Sequence, residues 1–167
     1  YIASGDTLTI PLNTDALSSE DQGKNIVGVL VTMSYGEDEE ASGATCPLAS
    51  GQDAPDTITG TATHAEFTNS ADGDNGGSTG HTTATEWYNS SLLDSVVIME
   101  EADIVSQLDS DGAGLGDYTI EISVTAQAGN APGPTCQRSD NGEDVSYNIQ
   151  LIVLDYTIVP WIDLSDL

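Results

Sequence analysis

Positive charge is what this chain has least of. Only Lys24 and Arg138 are basic, against 28 Asp and Glu, for a formal net charge of −26 over 167 residues. Phosphate recognition rests on clustered Lys and Arg, so nucleic acid and anionic lipid are excluded as partners. His64 and His81 are the only imidazoles, and the two cysteines form no CxxC pair, so no zinc-type cluster is expected. The G-x-S-x-G elbow, H-E-x-x-H, the phosphate loop and the dinucleotide fingerprint are all missing. Six Tyr, two Trp and one Phe are too few to line the apolar cleft that raises one carboxyl of a glycosidase pair. An enzyme is therefore not expected. No apolar run approaches the ~18 residues of a membrane span, and no membrane insertion of this segment is expected. The start at Tyr1 rather than Met matches removal of a signal peptide or of a membrane anchor.

A charge this one-sided repels itself in the compact state, and salt relieves the repulsion because the screening length falls from ~10 Å at 0.1 M to ~3 Å at 1 M. Bound divalent cations would act the same way. The acidic, Lys-poor balance resembles that of proteins from salt-loving or marine archaea. A secreted acidic protein that binds calcium broadly has the same balance. Cys46 and Cys136 lie in "GATCPL" and "GPTCQR", turn-forming surroundings that point to loops. A disulfide between them would close a loop of about 90 residues and contribute roughly 4.6 kcal/mol on the chain-entropy model. It would place the chain in an oxidising, extracellular setting; two separate buried thiols are the alternative.

Period-two alternation dominates the rest. "DTLTIPL" sets Leu8, Ile10 and Leu12 on one side, with Pro11 suited to an edge. "NIVGVLVTMSY" sets Val27, Val29, Val31, Met33 and Tyr35 on one face and Ile26 and Leu30 on the other, which predicts cover on both sides. "DYTIEISVTA" alternates Tyr118, Ile120, Ile122, Val124 and Ala126 against Thr119, Glu121, Ser123 and Thr125. "DVSYNIQLIVLDYTIVPW" sends Val145, Tyr147, Ile149, Leu151 and Val153 to one face. A Thr-rich strand over 57–67, short strands in "TTATEWYN" and "SVVIM", and a helix over 100–108 complete the set. Half-buried strands need a facing layer, so the expected fold is an all-β antiparallel sandwich of seven to nine strands. It forms one domain over 1–167, whose apolar tail 156–167 either folds back or pairs with a neighbouring subunit.

The segment "SDGAGLGDYTIEISV" resembles the approach to strand F in immunoglobulin-like and PKD-like domains, with Gly116, Asp117 and corner Tyr118 in the D-x-G-x-Y places. The resemblance implies that 25–35 is strand B and 145–158 strand G. Cys46 then lies in the B–C loop and Cys136 in the F–G loop, at one end of the sandwich. Antibody-type domains instead bury their disulfide between strands B and F beside a Trp. The same segment, read as a calcium loop from Asp109, offers Asp111 and Asp117 as further ligands but has Ile120 where the closing Glu belongs.

Other acidic loops, "GEDEE", "ADGDNGG" with Asp72 and Asp74, and "SDNGED", offer oxygen ligands suited to calcium or magnesium. Trp87 and Tyr88 are candidates for stacking on a sugar, and Asn89 heads the single acceptor sequon, "NSS". The expected role is an extracellular structural or adhesive module of a microbial surface, associating with itself or with other surface proteins. A calcium-dependent carbohydrate-binding domain is the alternative. If charge governs stability as proposed, the melting temperature rises steeply between 0.1 M and 1 M NaCl; a flat response would reject the salt-adapted reading.

Overall fold

The computed structural model describes residues 1–36, 39–44, 46, 54–74, 79–84, 87–93, 98–130 and 134–160. Among these the fold is all-β, with every strand pair antiparallel. The strands are β1 (Ile2–Ala3), β2 (Thr7–Asn13), β3 (Ile26–Ser34), β4 (Glu40–Ser42), β5 (Thr57–His64), β6 (Phe67–Asp74), β7 (Thr79–Ala84), β8 (Asp117–Thr125), β9 (Gln137–Ser139), β10 (Gly142–Glu143) and β11 (Ser146–Val153). Two helices join them, α1 (Ser19–Gln22) and α2 (Glu101–Leu108). One sheet has the order β2-β8-β5-β6 and the other β11-β3-β7; β1-β10 and β4-β9 are separate two-stranded ribbons.

The two long sheets share one core. Tyr118, Ile120, Ile122 and Val124 of β8 and Ile58 and Ala62 of β5 are buried with Val29, Val31 and Met33 of β3. The outward partners on β8, among them Thr119 and Glu121, are exposed, which is the alternation expected of a half-buried strand. Close approach of the sheets needs a gap in the side-chain layer, and Gly60 supplies it. A Cβ there would lie 2.6 Å from Met33 Sδ and 2.8 Å from Thr82 Oγ1, while Thr82 donates to the Gly60 carbonyl. β3, central in its sheet, is buried along Val27, Val29, Val31 and Met33, while its second face is buried at Ile26 and Gly28 and only half-buried at Leu30, Thr32 and Ser34, so the expected cover on both sides is complete only at its start. Pro11 falls on β2, an edge strand whose sole partner among the described residues is β8, a position that tolerates a missing N–H.

The expectation of a single strand over 57–67 is corrected. The chain turns at Ala65, in the left-handed region at φ 50°, and returns as β6, so the "ADGDNGG" loop begins inside a strand. Asp72 opposes Thr59 and Asp74 opposes Thr57. The turn lacks the Asn-Gly or Asp-Gly signal that marks two-residue hairpins. The returning strand is polar because it is an edge strand whose outer face carries hydroxyl pairs, Thr61 with Ser70 at 2.8 Å and Thr63 with Thr68 at 3.1 Å. The strand expected in "TTATEWYN" is β7, displaced toward the N-terminus. Of "SVVIM", residues 95–97 lie outside the described residues, and Ile98 and Met99 are irregular chain before α2.

Tyr118 forms the corner. Its hydroxyl donates to the Gly114 carbonyl at 2.8 Å, and His64 stacks on its ring with centroids 4.0 Å apart. The two His64 nitrogens face carbonyl oxygens, Nδ1 that of Asp117 at 2.6 Å and Nε2 that of Ala113 at 2.9 Å. Carbonyls only accept, so both bonds form together only with the doubly protonated ring. Gly114 lies against β3: a Cβ there would meet the Ile26 carbonyl oxygen at 2.1 Å. Burial pushes the Tyr118 phenol from 10.0 up to about 12. The folded state therefore holds this proton more tightly than the unfolded chain, and stability declines as pH rises from 10.0 to about 12. Tyr118→Phe, which strands the Gly114 carbonyl, should cost about 1–3 kcal/mol in denaturant unfolding and flatten the alkaline decline; an unchanged midpoint would refute the corner bond.

Candidate functional site

β10 is two residues long, and its position follows from local chemistry. Asp140 Oδ1 accepts from Gly142 N at 3.1 Å. Gly142 sits at φ 139° with its Cα so close to β1 that a Cβ would lie 2.2 Å from the Ile2 carbonyl oxygen. The register Ile2 with Glu143 then turns Glu143 into the interior, where it is fully buried. Asp56, the residue before β5, is equally buried. Its Oδ1 accepts from Gln127 N at 2.7 Å and its carbonyl accepts from the Tyr35 hydroxyl at 2.7 Å.

These placements bring Asp56, Asp140 and Glu143 together, each with a carboxylate oxygen within 4.8 Å of the others. Charges packed this closely away from water oppose one another. Burial is the largest influence on Asp56 and raises its carboxyl above 3.8; the Gln127 N–H and a hydrogen bond with Glu143 work in the opposite sense. Three oxygen donors can share protons, or present hard ligands to calcium or magnesium. Near the same ribbons, Arg138 pairs with Glu39 at 3.2 Å, both side chains almost wholly buried, and Gly129 N donates to Glu39 Oε1 at 2.7 Å.

The residues singled out from sequence are placed elsewhere. Asp109 Oδ1 caps Asp111 N at 2.9 Å, Asp111 is in the left-handed region at φ 49°, and Asp117 Oδ1 accepts from Asn13 Nδ2 at 2.6 Å. Asp109 and Asp117 thus satisfy turn and strand-end donors. Asp72 is exposed on β6. Trp87 is half-buried and edge-on to His64 at 5.1 Å and to Phe67 at 5.4 Å; Tyr88 is half-buried beside it. Cys46 and Cys136 form the disulfide, with Cα atoms 4.9 Å apart. It closes the β4–β9 ribbon, in which Ser42 opposes Gln137.

Asp140 and Glu143 belong to the acidic "SDNGED" stretch, one of several acidic loops in the sequence, where neither was singled out. Asp56 carried no signal, because only folding brings it to them. Comparison with family models, with curated proteins and with solved structures found no match for this chain.

Because Asp56 binds its proton more tightly when folded, its contribution is largest in acid and is lost as pH rises above 3.8 through the raised folded value. Asp56→Asn keeps an acceptor for Gln127 N and removes the charge. It should leave stability at neutral pH equal or higher, and make the pH dependence of the melting temperature shallower. A marked loss at neutral pH would instead show that the ionised carboxylate is required.

Proposed function

We propose that this chain is an extracellular structural or adhesive module of a microbial surface, an immunoglobulin-like β-sandwich that joins neighbouring subunits or other surface proteins by β-strand addition. The supporting observation is the pair of open edges. Among the described residues β2 bonds only to β8 and β11 only to β3, and an apolar groove runs between them, lined by Leu12, Leu17, Ile26, Ile149, Leu151 and Val153. Unpaired edges beside apolar surface are what strand addition uses. Tail residues 154–160 take no strand pairing, yet Leu154, Tyr156 and Ile158 are half-buried while Asp155, Thr157 and Val159 are exposed. That alternation is the pattern a strand presents. The disulfide suits an oxidising compartment, and the acidic surface suits a salty one.

The carbohydrate-binding alternative draws its calcium from Asp56, Asp140 and Glu143, the group within ligand reach among the described residues. In molar NaCl the protein should form filaments or a lattice by electron microscopy, and Leu151→Asp should abolish them; strictly monomeric particles would reject the assembly reading. A melting temperature that responds to calcium against chelator at fixed ionic strength would favour the alternative, and an unresponsive one would dismiss specific calcium.

A further inference from the structure

The sequon at 89–91 is the one sequence motif that surface assembly leaves unused, and its surroundings give it a purpose. Asn89 is exposed and caps a 3₁₀ turn, Ser90–Leu92. Its Oδ1 accepts from Ser91 N at 3.2 Å and from the Ser91 hydroxyl at 2.6 Å. Its backbone N–H donates to the Gln107 carbonyl of α2 at 2.8 Å, which anchors the turn to the helix. The Asn89 amide nitrogen, the atom a glycan would take, donates to Oε1 of the half-buried Gln107 at 3.0 Å. Rotation of one surface side chain releases it.

The second observation is independent of the motif. Leu93, Ile98 and Met99 are 37%, 94% and 40% exposed, three apolar side chains next in sequence to the turn and the helix that hold Asn89 and Gln107. Leu93 follows the sequon's own turn. Met99 is one side chain away from Asn89, since Gln107 Nε2 donates to Met99 Sδ at 3.4 Å. Uncovered apolar groups of this kind mark surfaces that something covers. A saccharide has both the C–H faces to lie on such side chains and the hydroxyls to face water.

We propose that Asn89 carries an N-linked glycan whose sugars cover Leu93, Ile98 and Met99. The inference rests on the extracellular reading, because transfer occurs on the export route. A lipid-phosphate-linked oligosaccharide is the donor. The Asn89 amide nitrogen forms a bond to the anomeric carbon, the bond from that carbon to the phosphate oxygen breaks, the phosphate leaves with the electron pair, and one amide proton is lost. The Ser91 hydroxyl is required, and a Thr at that position would serve equally.

Peptide mapping by mass spectrometry of the protein isolated from its own cells decides the point. The peptide bearing Asn89 should carry sugar mass, lost in Asn89→Gln and Ser91→Ala and kept in Ser91→Thr. Protein recovered from the cell surface with bare Asn89 would overturn the glycan and leave the surface role standing; protein found only in the cytoplasm would overturn both. Enzymatic removal of the glycan from the folded protein should raise binding of an apolar fluorescent dye several-fold, less so in Met99→Gln. Unchanged dye binding would overturn the covering role.

Discussion

The contact of Met33 with Gly60 is the constraint from which the rest of this molecule follows. One sheet carries a long, flexible side chain at the point where the other carries none, and their faces close into a single core. β8 then lies between β2 and β5, and its four inward residues, Tyr118, Ile120, Ile122 and Val124, meet β3 across the interface. A larger residue at Gly60 would push against Met33 and Thr82 together, in an interior packed too densely to yield cheaply. The corner at Tyr118, which fastens the 109–117 loop over Ile26, depends on β8 and β3 having been set at that separation.

Excess negative charge is the second organising fact. The chain holds a few acids inside and gives each a different solution. Glu39 takes Arg138, the sole arginine, in a buried ion pair. At the surface, Asp117 accepts from Asn13 Nδ2 and Asp109 from the N–H of Asp111. Asp56, Asp140 and Glu143 lie against one another, Asp56 and Asp140 also accepting from the N–H groups of Gln127 and Gly142, and burial makes the carboxyl of Asp56 hold its proton more tightly. Buried charge is tolerated where hydrogen bonds or a shared proton replace water. Glu143 is also the strand partner of Ile2, so the cluster lies where β1 meets the body of the fold.

Legibility followed burial pattern. β3, β8 and the inward face of β5 could be read residue by residue because one face or two must be apolar, and period two is a local property of the chain. β2 could be read as an edge because proline removes a donor. β6 could not, since an edge strand with a hydroxyl-rich face and an alanine at the turn offers neither alternation nor a glycine signal. Of the candidate site, Asp140 and Glu143 belonged to one acidic stretch among several and were not singled out, whereas the exposed acids of 109–117 were, and there Asp109 caps a turn and Asp117 accepts from Asn13 at a strand end. Asp56 was silent because an isolated acid before a strand has no local feature to distinguish it.

By itself the sequence determined the all-β class, the inward residues of its strongest strands, the position of α2 and the excess of acidic residues, though not α1, a single helical turn. Each of these depends on spacing along the chain or on composition. The Cys46–Cys136 disulfide, expected from the sequence, is present; tertiary structure alone decided that His64 bridges two carbonyls of the 109–117 loop, and that three acids from two distant segments share one corner. Those outcomes depend on strand order and register, which bring together residues whose separation in sequence carries no trace of their proximity in space.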